Sequence, residues 1–192
     1  MNHGGKRLFI TGIPASGKSY LAKKLADRTG GLAICLDHYR EELAKDERYK
    51  KWVNFYLDRD EEKYLIQTSP DQLWNNLVKQ SESLWPQFLE KIESYEDEAR
   101  AVIFECVNML PHLAKRDLDF SGVVLLGSSC GTILKRNVED SRWGNTLKLQ
   151  ELEAKYFWEV ERPFYKQEAE KFGYLTFDSA DQALPFCLET LA

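Results

Sequence analysis

The chain has 192 residues, of which 43% are hydrophobic, and carries 31 acidic side chains against 26 lysines and arginines. This length suits a single domain, or a core with a small lid, and the net charge of -5 argues against a broad nucleic-acid-binding surface. No apolar run approaches the roughly 18 residues of a membrane span and the four cysteines form no short-spaced pair, so we expect a cytoplasmic protein with free thiols and no zinc site.

Five short apolar runs, separated by helical stretches, are predicted to be strands. They span residues 7–11, 32–36, 101–104, 122–126 and 174–177. Because the runs are continuously apolar rather than alternating, we expect strands buried on both faces, as in a parallel sheet with βαβ connections. With right-handed crossovers, the prediction is a doubly wound, three-layer α/β fold of the P-loop NTPase type, with strand order 2-3-1-4-5.

A phosphate-binding loop directly follows the first strand. Residues 12–19 read Gly-Ile-Pro-Ala-Ser-Gly-Lys-Ser, a complete G-x-x-x-x-G-K-[ST] pattern that opens a helix. The glycines allow a tight turn, the backbone N–H groups form an anion nest, and the lysine places a charge at the β and γ phosphates. The serine hydroxyl is suited to Mg²⁺. The predicted nucleotide-binding residues are Gly12, Pro14, Ala15, Ser16, Gly17, Lys18 and Ser19.

The second predicted strand ends in a polar group that includes Asp37, His38 and Arg40. Ligands of doubly wound sheets lie beyond the carboxyl ends of the strands, so we expect Asp37 near the γ-phosphate as a general base. Arg40, one turn later, could hold an anionic group of the substrate. Two simpler interpretations stay open, a helix cap for Asp37 and a solvated helix face for Arg40. We rank His38 below Asp37 as a base, because neighbouring residues at a strand end point to opposite sides.

The long gap between the second and third strands is charged and helical in pattern. Residues 41–100 are predicted to form a helical insert on the substrate side, over one edge of the sheet. Ser69 should cap a helix that has Pro70 in its first turn, and Pro86 should kink or break that helix. The aromatic side chains of the insert are interpreted as packing residues, with a base-stacking platform as the alternative.

A carboxylate ends the third predicted strand. Glu105 follows the apolar residues 101–104 and so occupies the position of a Walker B acid, which organises the water shell of a metal or positions a nucleophile. We predict that Ser19 and Glu105 serve a magnesium ion, and that Glu105 and Asn108 line the substrate crevice. The alternative is that Glu105 is an incidental acid at a strand end.

A basic segment follows the fourth predicted strand. Residues 130–148 are predicted to be a lid, in which Arg136 and Arg142 neutralise charge that develops on a transferred phosphoryl group. Ordinary surface arginines are the alternative for both. A last helical stretch covers residues 146–172 and should bend at Pro163.

The order of these features resembles the small-molecule and nucleotide kinases of the P-loop superfamily over nearly the whole chain. Residues 36–40, Leu-Asp-His-Tyr-Arg, look like the corresponding stretch of adenylylsulfate and gluconate kinases. Residues 104–111 are similar to the Glu-Gly-Val-His-x-x-Pro pattern of the 2-phosphoglycerate kinase group, with Cys106 in place of glycine and Asn108 in place of histidine. Because of these two departures, the substrate of that group is not carried over.

The resemblance implies an ATP- and Mg²⁺-dependent phosphotransferase for a small hydroxyl- or phosphate-bearing metabolite. From the net charge and the lack of a long apolar run, we expect neither nucleic acid nor membrane as a partner. The resemblance also implies that Lys18 and Ser19 serve the nucleotide and the magnesium ion and that Asp37 is the base. Arg136 and Arg142 are then the lid arginines. The alternative is a regulatory NTPase or switch with the insert as a partner surface, although the chain lacks the Asn-Lys-x-Asp motif that reads guanine.

Overall fold

The computed structural model describes residues 6–56, 58–141, 144 and 146–192. Within these residues, five parallel strands form a sheet in the order β2-β3-β1-β4-β5, which confirms the predicted fold. The strands are β1 Arg7–Gly12, β2 Leu32–Cys35, β3 Val102–Glu105, β4 Gly122–Leu125 and β5 Leu175–Phe177. The predicted lid residue Arg142 lies outside the described residues.

Helices cover both faces of the sheet, because successive side chains of each strand point to opposite faces. On one face, α1 (Lys18–Thr29) and α10 (Ala180–Leu191) pack against strand residues that include Leu8 and Ile10. On the other face, α5 (Pro70–Glu93), α6 (Pro111–Asp117) and α9 (Arg162–Phe172) cover a larger core that includes Phe9 and Phe104. The two cores hold the carboxyl ends of β1, β2 and β3 side by side.

The edge strands depart from the prediction that every strand is buried on both faces. The three central strands are almost entirely buried, whereas β2 and β5 are mostly half-buried. Leu175 in β5 is 51% exposed. An apolar run therefore identified these strands correctly but did not show that they lie at the edges.

The insert is helical, as the sequence pattern indicates. It follows on from α2 (Leu36–Glu42) and contains a 3₁₀ turn (Leu43–Lys45), α3 (Glu47–Val53), α4 (Glu61–Gln67) and α5. The Ser69 hydroxyl caps α5 by accepting the N–H of Gln72 at 3.3 Å. The helix continues through Pro86 rather than breaking there, because the buried side chains around it, among them Trp85 and Phe88, anchor both halves to the core. Their burial outweighs the roughly 3 kcal/mol cost of an interior proline.

The C-terminal part carries the last helices of the fold. After α7 (Cys130–Glu139) and α8 (Leu147–Tyr156), a π-helical turn (Phe157–Glu161) leads into α9. Pro163 lies in the first turn of α9, so the α-helical hydrogen-bonding pattern changes just before the proline at which a bend is predicted. Among the described residues, no helix combines the length and the apolar character needed to cross a membrane.

Candidate active site

The loop between β1 and α1 has the backbone shape of an anion nest. Gly12 and Gly17 have φ angles of 125° and 100°, and Ala15 lies in the left-handed region with a φ of 56°. A Cβ atom at Gly12 would lie only 2.0 Å from the carbonyl oxygen of Leu125, so no other residue fits there. The loop ends at the first turn of the twelve-residue α1, whose N-terminal N–H groups and dipole favour an anion.

Lys18 is packed into this loop rather than extended into solvent. Its side chain is buried, and Nζ donates hydrogen bonds to the carbonyl oxygens of Gly12 at 3.1 Å and Ile13 at 2.9 Å. The ammonium group therefore lies beside the loop backbone, where its charge adds to the positive end of α1. The Lys18 ammonium group and the N-terminus of α1 therefore both contribute positive potential at the phosphate loop.

A cavity of about 480 Å³ lies in front of the loop, and we call it the phosphate-loop cavity. It is lined by Gly17, Lys18 and Ser19 from the loop, and by α7 on the opposite side. From α7, the Arg136 guanidinium reaches the loop and donates a hydrogen bond to the carbonyl oxygen of Ala15 at 2.6 Å. The predicted lid arginine thus stands where it can contact an anion held by the loop.

Glu105 and Ser19 meet at the carboxyl end of the sheet. The Ser19 hydroxyl donates a hydrogen bond to Glu105 Oε1 at 2.9 Å, and the glutamate is only 2% exposed. Strand register places Glu105 between Ile10 of β1 and Cys35 of β2. A hydroxyl and a carboxylate held together beside an anion-binding loop are the oxygen ligands that Mg²⁺ prefers, so the donor set fits that ion.

Asp37 lies in a helix rather than just beyond a strand. Because β2 ends at Cys35, α2 begins at Leu36 and Asp37 occupies its first turn. Strand alternation therefore does not apply to Asp37 and His38, so the reason given for ranking His38 below Asp37 is wrong. His38 is exposed. The N-cap position of α2 is taken by Cys35, whose side chain makes no capping hydrogen bond, and Asp37 lies two residues further on, inside the helix.

A second cavity of about 430 Å³ lies under the insert, and we call it the insert cavity. Its walls come from α2, from the insert and from the π-helical turn, which contributes Phe157 and Glu161. Ser19, Asp37 and Asp140 line both this cavity and the phosphate-loop cavity, so the two spaces adjoin at these side chains. Asp37 therefore faces the P-loop on one side and the insert on the other.

Arg40 is fixed by two oxygen acceptors in the wall of the insert cavity. Its Nη1 lies 3.0 Å from Asp37 Oδ1 and donates to Asn108 Oδ1 at 2.9 Å. The side chain is only 18% exposed, which argues against the solvated helix face. Burial alone would lower the pKa of Arg40, but the neighbouring Asp37 carboxylate raises it, so the guanidinium stays charged.

Asn108 lies behind Arg40 instead of lining the substrate crevice as predicted. It is fully buried, and its Nδ2 donates to Gln80 Oε1 at 3.1 Å and to Ser81 Oγ at 2.9 Å. Gln80, which the sequence analysis did not single out, also donates to the carbonyl oxygen of Trp52 at 2.7 Å. A buried polar network thus connects the insert to the Asp37–Arg40 pair. We therefore regard Asn108 as a positioning residue.

Two cysteines, Cys35 and Cys106, lie close to Asp37. The sequence predicted that cysteines in apolar stretches are buried, but not that these two lie beside Asp37. Cys106 is fully buried, with Sγ 3.5 Å from Asp37 Oδ1, and burial followed by the Asp37 charge raises its pKa well above the usual range. Cys35 is half-buried; burial and the Glu105 charge raise its pKa to about 12. Both thiols are therefore protonated at neutral pH.

Comparisons with known proteins add the fold relationship. The sequence matches no protein-family model and no curated protein. Among solved structures, shikimate kinase from Acinetobacter baumannii in complex with shikimate is 14% identical, with a TM-score of 0.56 over 96% of this chain and 94% of that chain. Shikimate kinase from Bacteroides thetaiotaomicron is 17% identical, with a TM-score of 0.52 over 97% and 98% of the two chains. At these identities the likeness establishes a shared fold.

Proposed function

We propose that the protein is a small-molecule kinase that transfers the γ-phosphoryl group of ATP to a hydroxyl- or phosphate-bearing metabolite. The observation that carries this proposal is the meeting of two cavities at Ser19 and Asp37, one at the phosphate loop and one under the insert. In-line phosphoryl transfer needs donor and acceptor spaces that share one reacting point. The proposal agrees with the fold, which the chain shares with shikimate kinases.

The donor half of the reaction takes place at the phosphate-loop cavity. Loop N–H groups and the start of α1 bind the phosphates, and Lys18 and Arg136 supply positive charge from opposite sides. Ser19 and Glu105 would hold Mg²⁺, which offsets the phosphate charge when it is bound. Arg142, predicted as a second lid arginine, remains part of the proposal, although it lies outside the described residues.

The acceptor half takes place in the insert cavity. Asp37 accepts the proton of the attacking hydroxyl, and the partly buried Arg40 orients the carboxylate through their 3.0 Å contact. Asn108 fixes Arg40 from behind through its own buried hydrogen bonds.

The test is substitution of Asp37 by asparagine, combined with a panel of sugars, nucleosides and phosphorylated acids as acceptors. Asp37→Asn should leave ATP affinity near that of the wild type and slow transfer by about 10²–10⁴-fold, the usual contribution of a general base. The matched control is Glu42→Gln on the exposed side of α2, which should transfer phosphate normally. Normal transfer by Asp37→Asn would rule out the proposed base. A rate of phosphate release that no acceptor in the panel changes would favour the regulatory NTPase.

A further inference from the structure

We propose that the site also binds a thiophilic divalent cation such as Zn²⁺, through Cys35, Asp37 and Glu105. One ligand atom from each of these three side chains lies within 4.8 Å of the other two. The residues come from the end of β2, the first turn of α2 and the end of β3. Because Glu105 is far from Cys35 and Asp37 in the sequence, a search for closely spaced ligands does not find this site, and no zinc site was predicted.

The three ligands are held on rigid elements. Parallel pairing of β2 and β3 places Cys35 directly beside Glu105, and the Ser19 hydroxyl fixes the glutamate carboxylate. In a tetrahedral zinc site, with Zn–S near 2.3 Å and Zn–O near 2.0 Å, the ligand atoms are about 3.5 Å apart. The ligand atoms, at most 4.8 Å apart, would therefore approach one another by up to about 1.3 Å.

The chemistry of the ligand set favours zinc over magnesium. Magnesium requires near-octahedral oxygen coordination, whereas a thiolate ligand selects softer ions such as Zn²⁺. Two carboxylates supply negative charge, and a water molecule can complete the tetrahedron from the adjoining cavity. On binding, the Cys35 thiol forms a sulfur–metal bond and releases its proton to solvent, so the step needs no oxidant or reductant. Cys35 lines the insert cavity and is therefore accessible to an entering ion.

Zinc at this position would inhibit phosphoryl transfer. It would occupy Glu105, which the magnesium ion needs, and Asp37, which the acceptor needs. This consequence rests on the proposed kinase function, whereas the binding itself does not.

The test uses Co²⁺ as a spectroscopic probe on untagged protein without nucleotide. Co²⁺ bound to a thiolate gives a near-ultraviolet charge-transfer band, which we expect in the wild type at one ion per chain and which Zn²⁺ should remove. Cys35→Ser should lose the band and bind Zn²⁺ at least about tenfold more weakly. Cys130→Ser, at the half-buried start of α7, is the matched control and should keep the band. A wild type without the band, or a band that survives Cys35→Ser, would overturn the proposal.

A second variant covers the case in which Cys35→Ser does not fold. Asp37→Asn keeps the thiol, so the band should remain while Co²⁺ affinity falls by at least about tenfold. Unchanged affinity in that variant would refute the three-ligand site. The two proposals also fail separately, because a protein that shows the band but transfers no phosphate would refute only the kinase function.

Discussion

The Asn108 network offers a prediction whose size can be worked out from the structure. Asn108→Ala removes a buried acceptor for Arg40 and a donor each for Gln80 and Ser81. A hydrogen bond to a charged group contributes about 1.5–3 kcal/mol, and each neutral one about 1 kcal/mol. The Gln80 side-chain oxygen is buried and would lose its Asn108 donor. Together these losses should lower the free energy of unfolding by about 3–5 kcal/mol. Transfer should also slow, since Arg40 no longer holds Asp37 in one orientation.

Urea denaturation measures this loss, and Asn76→Ala serves as the matched control on the same helix as Gln80. Asn76 is only partly buried. It donates to the hydroxyl of Tyr64 at 2.8 Å and accepts from Gln72 Nε2 at 2.9 Å, so its loss should cost about 1–2 kcal/mol. If Asn108→Ala and Asn76→Ala destabilise the protein equally, the buried network does not have the role assigned here. Equal transfer rates in wild type and Asn108→Ala would remove its positioning role.

Three further predictions test the loop and the thiols. Lys18→Ala should abolish detectable ATP binding in calorimetry, because its ammonium group lies at the phosphate-loop cavity, while the protein still folds. Gly12→Ala should prevent folding or nucleotide binding, because its Cβ would overlap a strand carbonyl. Gly30→Ala has open space but a φ of 64°, so it should cost only about 1–2 kcal/mol in thermal denaturation. At pH 8 and without metal, Cys35 should alkylate about a thousandfold more slowly than an ordinary cysteine, because its pKa is raised from 9.0 to about 12.

Each of these has a contradicting outcome. Lys23→Ala, on the exposed side of the same helix, should bind ATP normally, and equal loss in both lysine variants would indicate a general effect of charge. A Gly12→Ala protein with normal stability and nucleotide binding would contradict the close approach at that residue. The alkylation rate of Cys35 should rise as pH increases towards 12, because the thiolate is the reacting form, and a rate that levels off near pH 9 would contradict the raised pKa.

Much of the fold could be predicted because its signals are local. The phosphate loop, the five strands and the cap at Ser69 each depend on a few neighbouring residues, and the crossover rule then limits the possible topologies, among which the predicted strand order is the one observed. β2 and β5 are more exposed because they are the edge strands of the sheet, each with one neighbouring strand. A short apolar run does not show whether its strand lies at an edge or in the centre.

The site was predictable only in part, for the same reason. Asp37 and Glu105 were recognised because they follow apolar runs, but the hydrogen bonds that position Asp37 come from residues distant in sequence. Gln80 enters the network from the middle of α5, where its pattern is that of an ordinary helix residue. Asn108 was predicted to line the substrate crevice because it follows the end of the third strand. Its position in the sequence does not show that it lies behind Arg40, in the buried network. Cys35 was correctly predicted to lie in a strand, but only the register with β3 shows that it lies beside Glu105.

The most direct test of the central claim is to follow the γ-phosphoryl group of ATP labelled at that position. The purified protein is incubated with Mg²⁺ and the acceptor panel, and the labelled products are separated and identified. The account predicts that the label appears in at least one small-molecule acceptor, that ADP formation rises with that acceptor, and that Asp37→Asn suppresses both. Label found only in inorganic phosphate, released at the same rate with or without every acceptor, would contradict a kinase function.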